Sequence, residues 1–250
     1  MLALMAAIGQ ELRSLKRSLQ AEETFAQGTC RIFNARLGPN PFLLVQSGMG
    51  RENAERALNM LLTRQRVGPL LSIGFAGGLA DGIDCGHVVL CSSFRCEQDS
   101  GEPVYGADSD LLRRAQRAFG SEPAMPTDRC LTVSRPVAGP ALRRHAAQAF
   151  EADVADMESY WLARLAARHH IPFLGVRAII DTECLELSPF DRCVGPDGRT
   201  AVAALIPALL RRPWNLSRGV LIMRRITRAQ EALARSVTRL IPSLAGQEAP

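Results

Sequence analysis

Short, continuously apolar runs punctuate the first third of the chain at Leu2–Ile8, Pro41–Gln46 and Pro69–Phe75. Runs of this kind suit strands that are covered on both faces in a parallel sheet. Between and after them the apolar period lengthens to that of a helix. Leu12, Leu15 and Leu19 share one face of Glu11–Gln20, and Ala54, Ala57, Leu58, Leu61 and Leu62 share one face of Glu52–Arg66. Further on, His87–Ser92 reads as a strand, Arg95–Gly106 as a polar surface loop, Asp108–Phe119 as a helix and Leu131–Ser134 as a short strand. Pro140–Phe150 reads as another helix, and its His145 among arginines reads as solvated surface. Strands alternating this regularly with helices predict an α/β fold, a largely parallel sheet with helices on both faces.

The stretch from Val154 to Thr182 combines these patterns with chemistry. It opens on Asp156-Met157-Glu158, continues as a helix with Leu162, Leu165 and Ala166 inward, and breaks at His169-His170-Ile171-Pro172. The histidine pair is most simply a favourable contact with the helix C-terminus. A buried strand, Phe173–Ile180, then delivers Asp181 to its end. Small ligands bind outside the carboxyl ends of the strands in such sheets. Taken alone, Asp181 reads as an ordinary strand-end turn residue. Arg177 lies inside this apolar strand and requires a carboxylate partner, because an unpaired buried charge is very costly. Glu158 and Asp156 are the candidates.

Other strand ends offer further site residues. Glu11 stands where the first strand gives way to a helix, a place that suits either a first-turn charge favoured by the helix dipole or a site carboxylate. Ser47-Gly48-Met49-Gly50-Arg51 places a glycine turn at a helix N-terminus, where backbone N–H groups can approach an anion. It lacks the full dinucleotide fingerprint, since Asn53 stands at the last glycine position. After Phe75, Ala76-Gly77-Gly78-Leu79 offers a second close approach of backbone to ligand, or a plain turn.

Composition narrows the classes. The 250 residues are 47% hydrophobic, enough for a substantial core, and no compositional break marks a linker. The formal charge is +5, carried almost wholly by arginine, with Lys16 the only lysine. Aromatics are only 5% and the arginines are scattered along helices, which disfavours a nucleic-acid interface. No run is long enough to span a membrane, and Met1–Ile8 lacks the charged start and cleavage site of a signal peptide. The seven cysteines include no C-x-x-C pair, so a reduced, cytoplasmic protein is expected. Cys85, His87, Cys91 and Cys96 match no zinc spacing and read as small buried residues; no metal is expected.

The closing helix carries Ile222, Ile226, Ala229, Leu233, Val237 and Leu240 on one face and Arg224, Arg228, Arg235 and Arg239 opposite. Such a helix docks on its own domain with a solvated outer face, or lies on an anionic membrane surface. An irregular segment from Phe190 to Gly198 and a helix over Thr200–Leu210 precede it. Residues 1–210 are expected to form the main domain, and 211–250 a basic amphipathic helix and tail packed on it or on the inner membrane face.

Several segments together resemble the purine nucleoside phosphorylase and methylthioadenosine/S-adenosylhomocysteine nucleosidase superfamily. They are the first strand ending at Gln10-Glu11, SGMGRENA (Ser47–Ala54), IGFAGGL (Ile73–Leu79), VADMES (Val154–Ser159) and IPFLGVRAIIDT (Ile171–Thr182). The resemblance implies one α/β domain with a twisted mixed sheet curling toward a barrel. It also implies cleavage of a nucleoside N-glycosidic bond with no metal or organic cofactor, in a homo-oligomer. On that basis Met157 packs under the ribose, Glu158 accepts its 2′- and 3′-hydroxyls, Asp181 is the general acid at N7 of a purine, and Glu11 activates water. Gly50, Arg51, Phe75, Ala76 and Gly77 fall at the substrate or nucleophile side, with Arg51 a candidate for phosphate as co-substrate.

Phe75 replaces the family's frequent Ser or Thr, Ile180 replaces the Ser that often precedes the catalytic aspartate, and the phosphate-binding G-D-P-x-R element of one phosphorylase branch is absent from the N-terminal half. These departures favour hydrolysis over phosphorolysis. The segment after Thr182, with GPDGR, LLRRP and the arginine-rich helix, is similar to the hopanoid-associated branch. This resemblance implies release of adenine from adenosylhopane, a lipid-linked nucleoside. The alternatives are a methylthioadenosine, S-adenosylhomocysteine or futalosine nucleosidase, and a non-catalytic nucleoside-binding protein.

Overall fold

In the computed structural model the described residues are 1–98, 101, 103–119, 127–181 and 215–245, with backbone alone at 127, 181 and 215–222. The first half of the chain forms β1 (Ala3–Ala6), α1 (Gly9–Lys16), β2 (Gln20–Gln27), β3 (Cys30–Leu37), β4 (Asn40–Gln46), α2 (Arg51–Arg64) and β5 (Leu70–Gly78). Then follow β6 (Val88–Cys96), β7 (Tyr105–Gly106), α3 (Ser109–Ala118), β8 (Thr127–Thr132), α4 (Pro140–Phe150), β9 (Val154–Asp156), α5 (Ser159–Arg168), β10 (Phe173–Asp181) and α6 (Asn215–Ala245). The expected segments Phe190–Gly198 and Thr200–Leu210 lie outside the described residues.

The apolar runs become the parallel centre of the sheet. β1 lies between β4 and β5, parallel to both, with Leu4 beside Leu44 and Leu71. β5 also pairs in parallel with β10, which pairs antiparallel with β6. β6 runs parallel to β8, β8 to β9, and β9 returns antiparallel to β5. The sheet therefore closes on itself through β5, β10, β6, β8 and β9, and β1, β4, β3 and β2 extend from it as an open wing. The sheet is mixed, as the family resemblance implied; the regular strand–helix alternation had pointed to a largely parallel one.

Other segments also differ from expectation. β2 and β3 form an antiparallel hairpin that the apolar pattern did not reveal. Ala76, Gly77 and Gly78 do not form a turn. They continue β5, with Gly77 paired to Ala155 on one side and to the backbone of Asp181 on the other. β6 runs on to Cys96, so the loop expected from Arg95 begins later and contains the short strand β7.

Strand alternation sorts most of the core into two layers, with a smaller third cluster around Leu79 and Leu131. Leu174, Val176 and Ala178 of β10 pack with Leu12 and Leu15 of α1, Leu111 and Ala115 of α3, and the inner face of α6. Phe173 and Ile179 belong to the opposite layer, with α2 and α5. Ala229, Leu233, Val237, Leu240 and Leu244 are fully enclosed, so the apolar side of α6 over this stretch is core. His145 is exposed, whereas its neighbour Arg143 is buried and donates to the Gly78 carbonyl at 2.9 Å.

Candidate active site

Glu11 occupies the first turn of α1, and the N–H groups orphaned there converge on it. Its Oε2 accepts from the backbone N–H of Ala7 (2.8 Å) and Ile8 (3.0 Å), and its Oε1 from the N–H of Phe75 on β5 (2.9 Å). It thus both caps the helix and joins two strand ends. The contact with β5 requires Gly74, because a Cβ there would stand 2.5 Å from Glu11 Oε1. Glu11 is buried, and burial raises its pKa against the lowering effect of these N–H groups and of Arg177.

Glu158 reaches the same cleft from the junction of β9 and α5. Its Oε1 accepts from the N–H of Gly50 (2.7 Å), which stands at the N-terminus of α2 with a φ of 81°. The group received at this glycine turn is therefore the chain's own Glu158 carboxyl. Burial raises the Glu158 pKa to about 8, helped by the negative charge of Asp156 and opposed by the Gly50 hydrogen bond. The cleft is lined by Glu11, Glu158 and Arg177 together with Ser47, Ser72 and Phe75.

The partner of Arg177 is Asp156. Nε and Nη2 both lie 2.8 Å from Asp156 Oδ2. Nη1 donates to the carbonyls of Ser72 (2.8 Å) and Val176 (2.9 Å), and Nη2 to the hydroxyls of Ser72 (2.7 Å) and Ser159 (2.6 Å). Asp156 also accepts from Thr132 Oγ1 (2.7 Å) and the Ser159 N–H. A buried pair of this kind persists because every remaining donor and lone pair is satisfied. Although burial favours the neutral form of Arg177, the Asp156 charge prevails and raises its pKa. The network fixes the peptide that carries Glu158, two residues beyond Asp156.

The remaining candidates take varied places. Met157 is half-buried against the cluster around Leu79 and Leu131. Ala76 is enclosed and Gly77 is held in the ladder. Arg51 sits over the Trp161 ring at 4.0 Å and pairs with Glu55 at 3.4 Å. The backbone of Asp181 ends β10 opposite Gly77 after a register irregularity, while its side chain lies outside the described residues. Ser72, Ser47 and Thr132 were not anticipated. A hydroxyl inside an otherwise apolar strand, as in LLSIGF, was the available signal.

Residues 1–210 match the family described as the phosphorylase superfamily. The chain belongs to that superfamily. Among curated phosphorylase-superfamily relatives, the 5′-methylthioadenosine/S-adenosylhomocysteine nucleosidase of Baumannia cicadellinicola subsp. Homalodisca coagulata is 24% identical over 199 residues, covering 72% of this chain and 85% of that protein. The protein of the same name from Bacillus thuringiensis (strain Al Hakam) is 23% identical over the same length.

Solved structures share the superfamily fold. The S. pneumoniae 5′-methylthioadenosine/S-adenosylhomocysteine nucleosidase with the transition-state inhibitor MT-ImmA superposes with a TM-score of 0.76 at 18% identity, over 97% of this chain and 99% of that one. The futalosine hydrolase of Helicobacter pylori strain 26695 gives 0.76 at 11% identity, over 97% of each.

Proposed function

We propose that this protein is a nucleosidase that cleaves the N-glycosidic bond of a purine nucleoside with water. The observation that supports this reading is the small cleft that Glu11 and Glu158 both line, brought there from different elements of the chain. Glu158 accepts the ribose 2′- and 3′-hydroxyls, and its negative charge favours the oxocarbenium-like ribose of the transition state. Asp181 donates a proton or hydrogen bond to the departing base, and Glu11 takes a proton from the attacking water. No metal or organic cofactor has a part in these steps. The names of the two curated relatives reported above, both nucleosidases, support the same chemistry.

Water is favoured over phosphate as nucleophile because the elements that would receive phosphate are engaged elsewhere. The Gly50 N–H is given to Glu158, Arg51 is held by Trp161 and Glu55, and residue 75 supplies a ring in place of a hydroxyl. Turnover in phosphate-free buffer is the test. The reading expects undiminished adenine release and a free ribosyl product; dependence on added phosphate, with a ribose 1-phosphate product, would overturn it.

The finer substrate proposal is adenosylhopane, supported by the sequence resemblance of the segment after Thr182 and by the basic closing helix. Methylthioadenosine, S-adenosylhomocysteine and futalosine are the competing substrates. Adenosylhopane in detergent is expected to be turned over faster than any of these, and rapid release of adenine from methylthioadenosine would sink the lipid assignment.

A further inference from the structure

Helix α6 spends its apolar side on the core, and what it turns outward is a stripe of positive charge. Arg224, Arg228, Arg235 and Arg239 are exposed along it, with Glu231 the only acid in the helix. The helices packed beside it add Arg13 from α1 and Arg113 and Arg117 from α3, all exposed; acidic groups near the layer include Asp108 and Asp110 at the start of α3 and Asp84, two residues before the Gly86 that Arg228 covers. Arg113 pairs with Asp110 at 3.3 Å and Arg235 with Glu231 at 3.9 Å, contacts between exposed groups that leave both arginines at the surface.

The stripe begins at the end of the sheet that holds the cleft. Gln230 donates to the carbonyl of Gln10, next to Glu11, at 3.0 Å. Arg228 lies across Gly86, where a Cβ would meet its Nε at 2.8 Å, and the Gly86 N–H bonds the Ile179 carbonyl of β10, two residues before Asp181. At this end the arginines are joined by an apolar sequence, Val220-Leu221-Ile222-Met223, of which Met223 is 56% exposed.

We propose that this face docks the protein on an anionic phospholipid bilayer, with the arginines against the headgroups and Met223 at the boundary with the acyl chains. Charge attracts the whole layer, and an exposed apolar residue beside the cleft end of the stripe fixes which end approaches. Nucleic acid fits less well, because α1 and α6 contain no aromatic residue on which a base could stack. No described helix is long and apolar enough to cross a membrane, so the contact is peripheral. The inference goes beyond the proposed reaction and is read without turnover.

Co-sedimentation of the 250-residue protein with vesicles of phosphatidylcholine, alone or mixed with phosphatidylglycerol, tests it. Binding is expected only to the phosphatidylglycerol vesicles and is expected to weaken with added salt. Each basic side chain near such a surface contributes about 1 kcal/mol, or about fivefold. The triple variant R224Q/R228Q/R235Q should therefore bind about a hundredfold more weakly, with unchanged melting temperature and unchanged turnover of a soluble nucleoside. Equal binding to neutral vesicles, full binding by the triple variant, or tighter binding to a DNA oligonucleotide than to anionic vesicles would overturn it. Loss of nucleoside turnover in every preparation would instead contradict the proposed reaction and leave the vesicle result standing.

Discussion

At the scale of residues, the protonation of Glu158 makes the sharpest demand. Burial raises its pKa to about 8, from an ordinary value of 4.5. In the proposed reaction this carboxylate accepts two hydroxyls and opposes a cationic ribose, work that calls for its ionised form. The lower limb of the kcat/KM profile is therefore expected to rise as pH climbs through about 8, and Glu158→Gln should abolish that limb while lowering kcat/KM by about 100- to 1,000-fold. The same shift bears on stability. The folded state holds this proton more tightly than the unfolded chain, so the contribution is fully present below about 4.5 and is lost as pH rises through about 8. Denaturant midpoints measured from pH 5 to 8 should show a fall that is smaller in Glu158→Gln, the remainder coming from Glu11 and Asp128, whose pKa values burial also raises.

Arg177 and Asp156 call for a different measurement. Removing the charge of Asp156 leaves a buried guanidinium uncompensated, at a cost of about 3–5 kcal/mol. Asp156→Asn should lower the urea midpoint accordingly, and an effect below about 1 kcal/mol would mean that the serine hydroxyls suffice to hold Arg177. The sequence alone left its partner open between Asp156 and Glu158, since the two stand only two residues apart. The choice depends on Ser72, Thr132 and Ser159, which surround the Arg177–Asp156 pair from three other elements, while the Gly50 N–H, 108 residues upstream, engages Glu158 elsewhere. Contacts across that separation leave no periodic trace.

At the scale of elements, legibility followed burial. β1, β4 and β5 are apolar because both of their faces are covered, and their runs were readable. β2 was not readable, since QAEETFAQ is exposed almost throughout and its ladder to β3 consists of backbone bonds that any sequence can make. β3 does carry a partial alternation, with Cys30, Ile32 and Ala35 inward and Arg31, Asn34 and Arg36 outward, a signal that passed unread. Ala76-Gly77-Gly78 misled in the other direction. Small residues there allow β9 and the end of β10 to pair on either side of β5, and in a sequence this looks the same as a turn. For α6 the readable amphipathic period predicts its inner face well. Leu240→Ala should cost about 2–5 kcal/mol, as expected for a side chain with no exposure in a packed core, and a cost below about 1 kcal/mol would show that the helix is only loosely docked.

At the scale of the whole molecule, the closed ring of strands and its open wing serve one end of the sheet. β1 leads to Glu11, β5 holds it through Phe75, β9 leads to Glu158, and β10 carries Arg177 and ends at Asp181. The fold class and most of the acids at that end were legible because strand ends are where α/β sheets place chemistry. What the group on the ribose is, and whether it reaches a bilayer, belongs to the surface and to the segment after Thr182. The central claim, that this arrangement releases a purine base by hydrolysis, is tested most directly by adenine release from adenosine-type nucleosides in phosphate-free buffer, comparing the wild type with Asp181→Asn. Release by the wild type and a fall of at least about 100-fold in the variant are predicted; equal release by the two proteins, or none without phosphate, would contradict it.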